Sequence, residues 1–136
     1  MRLTALRIQA ALAALVALLV VLQVYLIASY FFGADDALDL HETNGFAVIH
    51  PLEALVFLVG LAAWWRRWGM VGVSFLLPLI GTIQIGLTEG SDWVGGLHGL
   101  LALVVGGLGG HIAAKAVLEA RRETRSRDAV GAGSAS

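Results

Sequence analysis

Charge in this chain is confined almost entirely to short gaps between four long apolar runs, and that pattern constrains the fold more than any other feature. The runs extend from about Leu6 to Phe32, Gly45 to Trp65, Met70 to Thr88 and Trp93 to Leu118. A hydrocarbon core about 30 Å thick is crossed by roughly 20 apolar residues of helix, so each run is long enough for one span. With 58 % hydrophobic and 14 % charged residues and a mean hydropathy of +0.82, a 136-residue chain cannot hide its apolar surface in a water-soluble core. The lipid bilayer is therefore its expected solvent.

Every lysine and arginine lies near the amino terminus (Arg2, Arg7), in the Trp64–Trp68 connection (Arg66, Arg67), or from Lys115 onward. The gaps at Asp35–Glu42 and Glu89–Asp92 hold acidic residues and no basic ones. By the positive-inside rule both termini face the cytoplasm and the acidic gaps lie outside. The expected architecture is all-α: a polytopic four-helix bundle, up-down-up-down, in the cell (inner) membrane. The first apolar run exceeds a signal peptide's core of about 7–15 residues and reads as a retained span.

Along the chain, Tyr25, Tyr30, Phe31 and Phe32 suit a headgroup belt at the end of the first span, and Gln23 reads as its only strongly polar interior residue. Its amide is expected to face the bundle. The acidic gap is expected as a loop with a short amphipathic turn, followed by Thr43 or Asn44 as a cap for the second span. Pro51 removes a backbone donor inside that span and should bend it. Trp64, Trp65 and Trp68 anchor its far end, and Gly69 is expected to start a tight connection. Residues 1–118 form the bundle in this reading, and 119–136, charged and then Gly/Ala/Ser-rich, form a frayed helix end and a disordered cytoplasmic tail.

The absence of cysteine excludes disulfides, iron–sulfur clusters and zinc–thiolate sites. There is no nucleophile triad, Walker loop, dinucleotide fingerprint or zinc-protease motif, and nothing points to nucleic acid. No residue can be named catalytic from the sequence. What remains is histidine. His50 lies about six residues into the second span and His98 about five into the fourth, so both sit about 8–9 Å below the outer interface. Two imidazoles at matched depth on two parallel spans suit axial ligation of one metal centre, most plainly a haem. Equally, each could serve only as an interhelical hydrogen-bonding group. Glu53, one turn below His50, suits a partner that orients its ring, a buried proton carrier, or a neutral carboxylic acid that pairs with Gln84 or Gln23. A non-haem metal site or a proton pathway built from His50, Glu53 and His98 is a third reading. Gly95, Gly99, Ala102, Gly106 and Gly110 fall on one helical stripe; beside His98, Gly95 and Gly99 leave room for a flat macrocycle, and the lower glycines suit close helix packing. His41 falls about half a turn out of phase with His50 on a continuous helix and reads as a loop or interfacial residue that could approach a haem edge. His111 has no histidine at its depth to pair with.

The segments Ile83-Gln84-Ile85-Gly86-Leu87 and Gly96-Leu97-His98-Gly99-Leu100-Leu101-Ala102, with histidines in the second and fourth spans, resemble one four-helix half of the haem A synthase family. They are also similar to segments of short bacterial four-span membrane proteins. The resemblance covers about Leu6 to Leu118 and implies His50 and His98 as the axial pair of a haem b. This chain supplies one half where the enzyme has two, and Pro51 follows His50 where the enzyme usually carries an arginine. A homodimer would rebuild the pseudo-two-fold arrangement. The resemblance thus implies a haem-binding architecture for electron transfer or redox-linked work, not oxygenating activity. The alternative is a non-catalytic accessory or packing subunit of a larger membrane complex.

Overall fold

The computed structural model describes residues 1–133, and among them the chain is helical apart from short turns. Four helices are long and apolar enough to cross a membrane: Arg2–Phe31, the composite Asp36–Ala63, Trp68–Gly86 and Trp93–Gly131. The elements are α1 (Arg2–Phe31), α2 (Asp36–Thr43), α3 (His50–Ala63), α4 (Trp68–Gly86) and α5 (Asp92–Gly133). A π-helical turn, Asn44–Ile49, fuses α2 to α3, and a 3₁₀ turn, Leu87–Glu89, follows α4. The acidic gap after α1 is therefore mostly the first turns of the second long helix. The connection between α3 and α4 is the Trp64–Arg67 turn, in which Arg66 takes φ 68°; Gly69 lies inside α4.

The most extensive helix pairing is α1 against α5. The central core joins Val16 and Val20 of α1 to Val56 of α3, Leu77 of α4, and Val105 and Ile112 of α5. A second cluster, around Leu6, Trp64 and Ala116, closes the end that carries the arginines. Large apolar side chains such as Leu18, Val21, Leu100 and Leu103 remain on the outside. Lipid solvates such a surface without cost, so the helices must hold together by close packing rather than by a hydrophobic drive. The small residues that allow this are not the full stripe expected. A Cβ on Gly109 would lie 3.0 Å from the Ala13 carbonyl oxygen, and one on Gly106 would lie 3.2 Å from Val20; at Gly99 and Gly110 it would meet nothing within 4 Å. The contact face of α5 runs through Val105, Gly109, Ile112 and Ala116, one residue around from the expected line.

One buried polar knot ties three helices near the arginine end. Gln9 is fully buried; it donates to the Val56 carbonyl (3.3 Å) and Ser74 Oγ (3.0 Å) and accepts from Trp64 Nε1 (2.6 Å). Gln23 is thus not the sole polar residue inside the first span. Gly60 is what lets the knot close, because a Cβ there would lie 2.6 Å from Gln9 Nε2.

The helix does not fray at Leu118. It continues to Gly133, and the segment expected to be disordered from Glu119 onward is helical as far as the described residues reach; 134–136 lie outside them. Ala, Glu and Arg are strong helix formers, and Glu123 pairs with Arg127 one turn on (2.6 Å). Arg2 then bridges back to Glu119 (2.8 Å) and Glu123 (2.9 Å), while its Nε donates to the Ala63 carbonyl at the end of α3 (3.2 Å). Arg67 also meets Glu119 (2.7 Å). Exposed pairs contribute about 0–1 kcal/mol each, so this network sets register more than stability.

The packing makes a sharp distinction among glycines of one helix. Gly109→Leu should cost at least the roughly 1–3 kcal/mol typical of overpacking, lowering the thermal unfolding midpoint in detergent, whereas Gly99→Leu and Gly110→Leu should leave it unchanged. Equal midpoints for all three variants would contradict the α1–α5 contact.

Candidate functional site

The second polar group lies toward the other end of the bundle and begins with Pro51. Proline has no N–H to give and its ring crowds the carbonyl four residues earlier. The turn before it widens accordingly: the His50 N–H reaches the Gly45 carbonyl in an i→i−5 bond, and the whole Asn44–Ile49 stretch is π-helical. What the structure shows at the expected bend is a local change in helical repeat. A wider turn uses more residues per revolution, so the angular offset between His41 and His50 shrinks from the half turn of a regular helix. Both histidines line the same cavity.

That cavity is about 440 Å³ in volume, within the range of roughly 300–1,000 Å³ usual for small-molecule and cofactor sites. His41, His50 and Glu53 enter it from the composite second helix, Gln84 from α4 and His98 from α5, with Gln23 of α1 on its wall. Gly95 also lines it; Gly99 does not. His111 is exposed on the outer side of α5 and takes no part.

All three histidines are held in one way. His98 Nδ1 lies 3.0 Å from the backbone oxygen of Gln84, and His41 Nδ1 lies 3.2 Å from that of Gln23. A carbonyl can only accept, so Nδ1 carries the proton in each and the lone pair of the neutral ring sits on Nε2. His50 Nδ1 lies 3.1 Å from Glu53 Oε2, so the ring and the carboxyl group share a hydrogen bond. Of the partners expected for Glu53, the structure selects His50. The His41 and His98 rings approach each other, with centroids 6.2 Å apart and planes inclined at 60°.

The surrounding groups fix this arrangement. Gln23 donates to the His41 carbonyl (2.9 Å) and accepts from Asn44 Nδ2 (3.1 Å), so its amide does face the bundle. Gly45 makes room for it, since a Cβ there would lie 2.7 Å from Gln23 Nε2. Gly81 does the same for Glu53: a Cβ at that position would fall onto the carboxylate. The sequence gives no direct signal for Gly81, because only the packing of α3 on α4 sets it opposite Glu53.

Two buried oxygens, Glu53 Oε1 and Gln84 Oε1, have no hydrogen-bond partner among the described residues. Unpaired buried acceptors cost about 1–3 kcal/mol each, which marks this cavity off from the saturated Gln9 knot. Among the described residues no three His, Asp or Glu side chains converge closely enough to hold a bare metal ion. The non-haem site of His50, Glu53 and His98 is therefore not assembled. Comparison with protein-family profiles, curated proteins and solved structures finds no match for this chain.

Proposed function

We propose that the chain is a small integral membrane protein that binds one haem b between His50 and His98 and passes electrons, or responds to redox state, near the acidic end of its bundle. The observation that carries this reading is the shared tethering of two imidazoles on one cavity: each Nδ1 is engaged within the chain, so Nε2 is the ring nitrogen left to ligate. Metal-bound histidines typically donate their other ring N–H to a carbonyl or carboxylate in this manner. When bound, a bis-histidine haem supplies reversible one-electron chemistry with both axial positions filled, which favours electron transfer over gas binding.

In this reading the chain's own residues divide the work. Gln84, through its backbone oxygen, and Glu53, through its carboxylate, orient the two rings. Gly95 keeps the α5 wall low beside His98. His41 flanks His98 on the cavity wall. The likeness of the His98 and Gln84 segments to a haem A synthase half supports the same assignment. The accessory-subunit reading rests on the fact that each histidine already has a partner within the chain, and it predicts no bound pigment.

The proposed topology is up-down-up-down with both termini cytoplasmic, in the cell membrane, supported by the one-sided placement of the arginines and lysine. Reporter fusions after Asp36, after Trp68 and after Gly131 should read outside, inside and inside; an outside reading at Gly131 would overturn it.

The ligand assignment is tested by reduced-minus-oxidised spectra of protein purified from haem-replete cells. Haem should be lost or become high-spin in His50→Ala and in His98→Ala, and should survive in His41→Ala and His111→Ala. Loss in His41→Ala with retention in His50→Ala would reassign the pair, and a colourless wild type would leave the accessory-subunit reading in front.

A further inference from the structure

Far from the histidine cavity, α1 and α5 border a second, open cavity of about 460 Å³. Arg7 of α1 and Arg121 and Arg125 of α5 line it, together with Thr124 and with the apolar Ala10, Val117 and Ala120. All three arginines are exposed, so water and salt screen their mutual repulsion, but together they make one patch of positive charge. Nothing in the described chain neutralises that patch. No carboxylate lines the cavity, and the three guanidinium groups form no ion pair or hydrogen bond among the described residues.

The nearby acids are committed elsewhere. Glu119 is held by Arg2 and Arg67, with Arg122 at 3.9 Å, and Glu123 is held by Arg2 and Arg127. The arginines at this end are thus sorted into a neutralised group and an unpaired group. The Thr124 hydroxyl donates to the Ala120 carbonyl (3.0 Å), so the guanidinium groups are the donors that the cavity offers. Their planar forks match the oxygen geometry of a phosphate.

Polarity is graded along the helix axes. Ala10 and Val117 lie toward the apolar middle of their helices relative to Arg7, Arg121 and Arg125. An anion with an apolar continuation fits this gradient better than a free ion does. Basic pockets between membrane helices are places where anionic headgroups settle. We propose that this cavity holds the phosphodiester of an anionic glycerophospholipid, with its acyl chains running past Ala10 and Val117. The site is independent of the haem reading.

Native mass spectrometry of the full-length protein in detergent, titrated with phosphatidylglycerol, phosphatidylcholine or inorganic phosphate, tests this. Phosphatidylglycerol should be retained at one saturable site and phosphatidylcholine should not. The Arg121→Gln/Arg125→Gln variant should lose more than about tenfold in retention, since each arginine near an anionic headgroup is worth on the order of fivefold. Lys115→Gln removes an exposed charge outside the cavity and should leave retention unchanged. The wild-type comparison between the two lipids needs no variant and guards against misfolding of the double substitution. Equal retention of both lipids would overturn the proposal, as would equal losses in Lys115→Gln and the double variant. Displacement of the lipid by equimolar inorganic phosphate would show a site for free phosphate instead.

Discussion

A polar atom inside a hydrocarbon phase has no water to fall back on, and this bundle is arranged around that fact. Its backbone satisfies itself by being helical. Its few interior polar side chains must find one another, and they do so in two places. Near the arginine end, Gln9, Ser74 and Trp64 meet with their principal hydrogen bonds made, and the group reads as a tie between helices. Near the acidic end, three histidines, Gln23, Gln84 and Glu53 surround open space, and two buried oxygens have no partner among the described residues. The same solvent penalty that makes the first group structural makes the second expensive, and an expensive arrangement beside a cavity is where function is expected.

The path from sequence to that cavity runs through one backbone irregularity. Pro51 cannot complete the helical ladder, the turn before it widens, and the histidine nine residues upstream of His50 is carried toward the same space. Glycine then does locally what a side chain would prevent: Gly81 admits the Glu53 carboxylate and Gly45 admits the Gln23 amide. A π-helical turn, two glycine gaps and three tethered imidazoles thus act as a unit. In the haem reading, the Nε2 atoms of His50 and His98 would hold the iron, with His41 beside them on the cavity wall.

Much of this was legible in the residues, and the failures have physical causes. Four apolar runs translate directly into four long helices because run length and hydropathy are local properties. The facing of Gln23 into the bundle and the pairing of Glu53 with His50 also follow from local spacing and the cost of burial. Gln9 escaped notice because it stands only two positions from Arg7, where a polar residue looks interfacial; the packing of Trp64 and Ser74 over it is not written in its own neighbourhood. His41 reaches the cavity wall because the π-helical turn Asn44–Ile49 changes the repeat between it and His50, which a uniform helical spacing does not show. The glycine line on α5 was shifted by one residue because a helix packed on one side and facing lipid on the other carries small residues on both. The helical continuation past Leu118 is supported locally by Ala, Glu and Arg, and its docking by Arg2 and Arg67, which lie far away in sequence.

The central claim is that two imidazoles, from His50 and His98, are the axial ligands of one haem. Electron paramagnetic resonance of the oxidised wild-type protein, prepared with ¹⁵N-labelled histidine, tests it most directly. The account predicts a low-spin ferric signal with hyperfine coupling from two histidine nitrogens. A high-spin signal, or coupling from a single imidazole, would contradict it.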